Sequence, residues 1–325
     1  MNPQPVPSPA TAAVLDVGVD VASLHLDVAL HGQGGVKRLS NTDAAIGRWL
    51  RSLPPGSRVA MESTGRYHER LAQLAHAAGM VVFVLDPRAV RHYARGLGQR
   101  GKTDRLDALM LAHLIEREHA HLRPWQPPSP EHELLKDLLR QRAMLARYKS
   151  SLLQGLRPAA AAAVDFAPIF KSIQDTLRAL DKQIAVAACA LPQGKSALGW
   201  IMSVPGVGLL TGATLLRVFQ RLAHRGCDAV VAFLGMDLRP QDSGKRTGVR
   251  RLSKRGDAYA RKLLFTASMA AVRCDARWRT LYERELAKGL PKTAAYVAIG
   301  RRVIRVAFSV FKNHAAYDPV KMPTA

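Results

Sequence analysis

The sequence contains few cysteines and no hydrophobic run long enough to cross a membrane. Cys189, Cys227 and Cys274 stand far apart, with neither CxxC pairs nor Cys/His zinc spacing, so no disulfide framework or zinc finger is predicted. No apolar run reaches the roughly 18 residues of a spanning helix, and the proline-rich start lacks the basic stretch of a signal peptide. These absences predict reduced thiols, a cytoplasmic location and no membrane partner.

Acidic residues are also scarce, and the resulting positive charge is concentrated near the end of the chain. The 325 residues include 48 Lys and Arg against 25 Asp and Glu, a formal net charge of +23. Residues 196–325 alone carry 23 basic and 8 acidic residues. A chain this basic requires a polyanionic partner, and nucleic acid is the usual one. We therefore expect this segment to contact nucleic acid.

The chain is predicted to contain a short disordered tail and three further segments. The tail covers residues 1–12, and a mixed α/β segment covers residues 13–125. The stretch RPWQPPSP then marks a boundary. Residues 131–195 predict a helical connector, and residues 196–325 predict a mainly helical, basic domain. In the α/β segment, strands are expected at 13–21, 24–30, 36–39, 58–62 and 80–85, with helices at 41–53 and 63–78 and from 87 and 103 onward.

The connector contains a heptad seam in its second half. Apolar residues there recur every three or four positions, which is typical of two helices packed along a stripe. The seam fits the core of a helical hairpin and an oligomerising coiled coil equally well. Its members are Phe170, Ile173, Leu177, Leu180, Ile184, Ala187 and Leu191.

Four acidic residues fall where an RNase H-like sheet would bring them together. Asp20 ends the first predicted strand, and Glu62 ends the fourth, which lies beside the first in such a fold. Asp104 and Asp107 are three residues apart and share one face of a helix. Clustered carboxylates provide the hard oxygen ligands that Mg²⁺ prefers in phosphodiester chemistry. The sequence therefore predicts an acidic metal site.

Each of these acidic residues also has an ordinary explanation. An aspartate at a strand end is often a turn residue, and Asp104 is favoured near a helix N-terminus by the helix dipole. Asp16 and Asp27 are alternatives to Asp20, which we prefer because it lies nearer the strand end.

The stretch GLGQRGKT at residues 96–103 matches the phosphate-binding pattern G-x-x-x-x-G-K-[ST]. A genuine phosphate-binding loop follows directly on a buried strand, whereas here a helical stretch intervenes after Leu85. We therefore interpret it as a basic loop near the acidic site, with Arg100 and Lys102 close to nucleic-acid phosphate.

Two features of the basic domain suggest contacts with nucleic acid. Pro205-Gly206-Val207-Gly208 resembles the turn of a helix-hairpin-helix motif, in which Gly206 and Gly208 would let backbone amides approach a phosphate; an ordinary Gly-rich helix connection is the alternative. Further along, residues 239–262 carry nine basic and two acidic residues. Ser243 lies there in a Ser-Gly sequence that on composition alone is an ordinary turn. The neighbouring predicted contacts are Lys245, Arg246, Arg250, Arg251, Lys254 and Arg255.

Several of these stretches, in the same order, resemble the DEDD transposases of bacterial insertion sequences, the insertion sequence 110 family. They are VGVDVAS around Asp20, AMESTGRYH around Glu62, LDPRAVRHYARGLGQRGKTDRLDA around Asp104 and Asp107, VPGVG, and SGKRTGVRRLSKRGDAYARK from Ser243. The stretch AFLGMDLRPQDSGK departs from the family, which more often has a Gly-Leu-Pro type sequence there; Asp237 and Asp242 are unusual.

The resemblance implies an RNase H-like (RuvC-like) domain, a coiled-coil connector and a C-terminal transposase domain. It implies that Asp20, Glu62, Asp104 and Asp107 bind Mg²⁺, or Mn²⁺ in its place, and that Ser243 is a nucleophile that joins covalently to DNA. It further implies donor and target DNA, a structured guide RNA from the element, and homo-oligomers, dimers assembling to tetramers. The competing hypotheses are a structure-specific nuclease that uses water and a non-catalytic nucleic-acid-binding protein.

Overall fold

A five-stranded mixed sheet lies at the centre of the first of two structural units, which span residues 1–128 and 129–325. The computed structural model describes residues 14–63, 65–98, 104–156, 164–240 and 250–321. The strand order is β3-β2-β1-β4-β5. The strands are β1 (Asp16–Val21), β2 (His25–Leu30), β3 (Val36–Ser40), β4 (Arg58–Glu62) and β5 (Val81–Leu85).

The first three strands are antiparallel neighbours, whereas β4 and β5 run parallel to β1. Alternate side chains of β1 point to opposite faces. Val17 and Val19 pack with Trp49 and Leu71 on one face, while Ala60 of β4 packs with Leu111 on the other. The helices of this unit are α1 (Asp43–Leu50), α2 (Tyr67–Ala77), α3 (Pro87–Gly96) and α4 (Asp104–Glu118).

The predicted order of elements in this unit is confirmed, and two helix boundaries differ. The helix expected from residue 63 begins at Tyr67, because Ser63 is still held by a hydrogen bond from its N–H to the Leu85 carbonyl and Gly65 has a φ of +55°. The helix expected to reach Leu53 ends at Leu50, although Leu53 remains buried in the core.

The described part of the second unit is built almost entirely from helices around a single hydrophobic core. Two short strands form the antiparallel pair β6–β7. The helices are α5 (Pro130–Gly155), α6 (Ala167–Ala190), α7 (Gly194–Met202), α8 (Leu209–Arg221), α9 (Cys227–Phe233), α10 (Ala258–Cys274), α11 (Ala276–Ala287) and α12 (Lys292–Lys312), and the strands are β6 (Leu238–Pro240) and β7 (Arg250–Leu252).

Helices α5 and α6 form an antiparallel hairpin. Arg142 of α5 donates to Asp181 of α6 over 3.0 Å, and Lys149 contacts Gln174 further along, so the two helices run in opposite directions. All seven residues of the predicted seam are buried or half-buried. Leu135 and Ile184 belong to the same core as α8 and α12, so the connector and the basic domain share one core. None of the helices in the described ranges is long and apolar enough to span a bilayer.

Candidate functional site

The register of β1 and β4 places Asp20 and Glu62 side by side. The two strands are parallel, with Gly18 opposite Ala60 and Val19 opposite Met61, so the next residues along each strand are Asp20 and Glu62. Ala60 contributes to the core beneath α4. Because side chains alternate, Asp20 and Glu62 point to that same face of the sheet. Both are half-buried there.

Helix α4 lies directly on β1 because residue 18 is glycine. A Cβ atom at Gly18 would lie 2.1 Å from the Ala108 carbonyl oxygen and 2.3 Å from the Ala112 nitrogen, both backbone atoms. Any larger residue would push the helix away from the strand. The close approach brings the first turns of α4 over the sheet.

The direction of α4 determines which of its residues face the carboxyl end of β1. The N–H of His31 donates to the carbonyl of Asp16 at the start of β1, and the His31 ring lies beside that of His113 on α4. Ala108 lies over Gly18. The helix therefore runs antiparallel to β1, and its residues before Ala108 lie toward Asp20. Asp104 is the first residue of α4, and Asp107 is half-buried just before Ala108.

The two alternative aspartates, Asp16 and Asp27, are both held in bidentate ion pairs. Arg58 donates to Asp16 over 2.5 and 2.7 Å, and Arg38 donates to Asp27 over 2.8 and 2.7 Å. Asp27 lies opposite Asp20 in the antiparallel register of β1 and β2. The hydrogen bonds from Arg38 hold the pKa of Asp27 below its ordinary value, so the carboxylate stays ionised.

The arginine pairs count against Asp16 and Asp27 as metal ligands. A carboxylate already bound by both nitrogens of an arginine fork has few lone pairs left for a cation. The predicted metal ligands are all carboxylates: Asp20, Glu62 and Asp107, with Asp104 one turn away on α4. That chemistry fits a hard divalent cation such as Mg²⁺ or Mn²⁺.

The structure also shows which element precedes the glycine-rich stretch at residues 96–103. Strand β5 ends at Leu85, and α3 occupies Pro87–Gly96 immediately before the motif. A helix rather than a strand thus precedes the glycine-rich stretch, as the sequence predicted. Arg100 and Lys102 lie outside the described residues.

Ser243 also lies outside the described residues, together with Lys245, Arg246 and Asp242. The segment that contains them, residues 241–249, connects β6 to β7. Its two ends are paired, since Pro240 lies opposite Arg250 in the antiparallel register. Along the chain, Ser243 therefore lies between two strands that pair with each other.

The base of this β6–β7 hairpin is held by a tight backbone crossing. A Cβ at Gly235 would lie 2.5 Å from the Gly256 nitrogen, and one at Gly256 would lie 2.3 Å from the Phe233 carbonyl oxygen. Asp237 accepts a hydrogen bond from the Ser253 hydroxyl, and its carbonyl accepts the Ser253 N–H over 2.9 Å. Asp237 is therefore a structural residue of this hairpin.

The structure describes four of the predicted basic contacts in this region, and all four are exposed. Arg250 and Arg251 lie on β7, and Lys254 and Arg255 follow it before α10 begins. Exposed cations grouped on a strand and the turn after it form a surface suited to phosphate.

The two glycines of the helix-hairpin-helix-like turn differ in their surroundings. Gly206 has a φ of +82°, and a Cβ there would lie 2.2 Å from the Ala267 carbonyl oxygen of α10. Its lack of a side chain is required by packing inside the unit. Gly208 is the N-cap of α8, with open space around it, so only the start of α8 remains as an approach for phosphate at this turn.

Sequence reasoning missed three residues that organise the acidic site. Arg38 and Arg58 neutralise the rival aspartates, and Gly18 seats α4. For Arg38 and Arg58, the signal is their position opposite the two aspartates on neighbouring strands, which only the strand register reveals. For Gly18, the signal is a lone glycine inside an apolar strand, which often marks a close backbone approach.

Comparison with known proteins identifies relatives along most of the chain. A family model described as DEDD transposase of IS110 matches residues 17–159, and one described as transposase of the IS116/IS110/IS902 family matches residues 199–283. A pilin gene-inverting protein of Moraxella lacunata is 26% identical over 80% of this chain and 81% of its own. A probable family 20 transposase of Pseudomonas aeruginosa is 26% identical over 93% of this chain and 98% of its own.

Proposed function

Because the chain belongs to the IS116/IS110/IS902 family of transposases, we propose that it cuts and rejoins DNA using an acidic metal site and Ser243. The observation that carries the proposal is the position of Asp20 and Glu62 on neighbouring parallel strands beneath α4. The strand order, with three antiparallel strands followed by two parallel ones, supports an RNase H-like (RuvC-like) first unit.

Asp20, Glu62, Asp104 and Asp107 would hold Mg²⁺ or Mn²⁺, which supplies charge stabilisation for phosphate when bound. Asp27 lies opposite Asp20 but is paired with Arg38, so it stays outside this set. Several carboxylates this close repel one another, and a cation relieves that repulsion.

Ser243 performs the covalent step in this proposal. Its hydroxyl oxygen forms a bond to a DNA phosphorus, the sugar oxygen leaves with a proton as a free hydroxyl, and the phosphodiester energy is kept in a serine–DNA link. A sugar hydroxyl of the other DNA strand then attacks the same phosphorus and releases the serine. The acidic site is proposed to activate the serine and stabilise the departing charge.

The exposed cations Arg250, Arg251, Lys254 and Arg255 are proposed to hold nucleic-acid phosphates near Ser243. Lys245, Arg246, Arg100, Lys102, Gly206 and Gly208 complete the proposed contacts, with Gly208 contributing through the start of α8. The net charge of +23 supports a large nucleic-acid partner. We include in the proposal donor and target DNA, a structured guide RNA, and a homo-oligomer, dimeric or tetrameric.

A second candidate function is site-specific inversion of a DNA segment. It is favoured by the relative in Moraxella lacunata and another in Moraxella bovis, 25% identical over 80% of this chain, both named pilin gene-inverting proteins. Inversion and insertion use the same cutting and rejoining chemistry. Supercoiled substrates with two sites in opposite orientation, compared with separate donor and target DNA, distinguish them.

The test of the mechanism is Ser243→Ala, compared with Thr247→Ala, which removes a hydroxyl from the same segment. We expect Ser243→Ala to abolish strand exchange and the covalent protein–DNA product, with nucleic-acid binding retained. Thr247→Ala is expected to retain all three. Mass spectrometry of trapped reactions is expected to find DNA attached at Ser243.

The remaining hypotheses predict different results. Metal-dependent cleavage that survives Ser243→Ala, with no covalent product, indicates a nuclease that uses water. Nucleic-acid binding without cleavage under any metal condition indicates a non-catalytic binding protein.

A further inference from the structure

A second group of potential metal ligands lies at the other end of α4 from Asp107. His113 and Glu116 are three residues apart on α4 and therefore share one face of the helix. His31 lies in the turn after β2. The three side chains each offer one ligand atom, and these atoms all lie within 4.8 Å of one another.

The position of this His/Glu group is fixed by the fold on both sides. The N–H of His31 donates to the Asp16 carbonyl over 2.8 Å, which anchors the turn to the start of β1. The rings of His31 and His113 have centroids 5.8 Å apart. Ala112, next to His113, is buried against Gly18 and so holds this part of α4 to the sheet.

The chemistry of the His/Glu group differs from that of the acidic site. Two imidazoles and one carboxylate suit a borderline transition metal such as Zn²⁺, whereas carboxylates alone suit Mg²⁺. In a tetrahedral zinc site, ligand atoms lie roughly 3.3 Å from one another. The ligand atoms of His31, His113 and Glu116 lie within 4.8 Å of one another, which is close to that spacing.

The ion pair that competes with a metal for Glu116 is weak. Glu116 is paired with its neighbour Arg117 over 3.4 Å, and both side chains are more than one-third exposed. An exposed pair of this kind contributes little free energy. His31 is exposed as well, which gives a metal ion a path to the site.

We propose that His31, His113 and Glu116 form a transition-metal site, Zn²⁺ by preference, with its fourth position open to water. The site joins the turn after β2 to the second half of α4. A metal there would prevent α4 from sliding along its axis relative to the turn after β2. The first turns of α4 carry Asp104 and Asp107. The His/Glu site is thus a positioning device, separate from the proposed catalytic cation.

The test is Zn²⁺ binding to the full chain in the presence of excess Mg²⁺, measured by calorimetry. We expect His31→Asn and His113→Asn to weaken the binding of one Zn²⁺ per chain by at least roughly tenfold. Glu116→Gln is expected to weaken it as well. His92→Asn, which removes an exposed imidazole from α3, is expected to leave that binding unchanged.

A second readout is the melting temperature, which Zn²⁺ should raise in the parent and in His92→Asn but not in His31→Asn. Because His31 is exposed in a turn, its substitution leaves folding intact. Equal Zn²⁺ affinity of His31→Asn and the parent, or no Zn²⁺ bound by the parent, overturns the proposal. Asp20→Asn is expected to bind Zn²⁺ as the parent does. Failure of the proposed catalytic site can therefore be told apart from failure of the Zn²⁺ site.

Discussion

The acidic residues of the first unit and the basic residues of the second are positioned by different means. Asp20 and Glu62 lie on paired strands, so the hydrogen-bond register of the sheet fixes their separation. Arg250 and Arg251 lie on a short strand, and Lys254 and Arg255 lie in the turn after it, all exposed. The first unit therefore presents carboxylates in a fixed geometry, whereas the second presents exposed charge beside the closely packed base of the β6–β7 hairpin.

The largest effect is expected from Asp20→Asn compared with Asp16→Asn, two changes on the same face of the same strand. Asp20→Asn removes a proposed ligand, and we expect DNA cleavage to fall by about 10³-fold, roughly 4 kcal/mol of transition-state stabilisation. Asp16→Asn breaks the pair with Arg58 and should cost about 2 kcal/mol of folding stability. Cleavage rates per folded molecule, with stability from urea titration, separate the two.

Equal loss of cleavage per folded molecule in both variants would contradict the distinction between Asp20 and Asp16. In that case the whole strand, rather than the residue at its end, would be required for activity.

The next effect concerns the charged surface of the second unit. Reversing Arg250, Arg251, Lys254 and Arg255 to Glu should weaken DNA and RNA binding by about 10²-fold at moderate salt, since these cations displace condensed counterions. The slope of log affinity against log salt should become shallower by about 0.9 for each lost phosphate contact to duplex DNA. Reversing the same number of exposed cations elsewhere provides the matched control: Lys171, Arg178 and Lys182 on α6, and Lys288 at the C-cap of α11.

Binding that falls equally in the control would show that only total charge matters. Binding unchanged by the first set would place the nucleic-acid surface elsewhere.

A third comparison uses glycines that pack against helices in each unit. Gly18→Ala should destabilise the first unit by about 3 kcal/mol, because its Cβ meets backbone atoms of α4. Gly206→Ala should cost the second unit at least as much, since the residue also has a φ of +82°. Gly34→Ala, in open space, should stay within about 0.5 kcal/mol of the parent.

Hydrogen exchange with mass spectrometry resolves these effects by region. Lost protection is expected in β1 and α4 for Gly18→Ala, and in α8 and α10 for Gly206→Ala. Loss of protection throughout the chain in either variant would show that the two units unfold together.

The smallest effect is a pH dependence from Asp27. Arg38 lowers the pKa of Asp27 below its ordinary value of 3.8, so the stabilisation is complete above that pH and is lost as pH falls through the lower folded value. The stability difference between the parent and Asp27→Asn should therefore shrink below about pH 4. Asp43→Asn, which breaks the exposed pair with Arg70, should change acid stability less. Urea titrations at several acidic pH values measure both.

Much of the first unit could be predicted from sequence because local patterns determine its elements. Alternating and continuous apolar runs predicted all five strands in order, and the same spacing placed Asp20 and Glu62 at strand ends. Helix α4 was expected from the residues around Asp104. The heptad seam predicted the paired helices α5 and α6, but their packing partner within the chain required the structure.

The amino-acid sequence alone predicts the element order of the first unit, the concentration of positive charge in the last segment and the spacing of Asp104 and Asp107, because these depend on neighbours along the chain. The arginine pairs of Asp16 and Asp27, the need for glycine at residue 18 and the meeting of His31 with His113 and Glu116 become evident only in the folded structure. Each of these depends on atoms brought together across strands and helices, and contacts between residues distant in sequence leave no periodic signal along the chain.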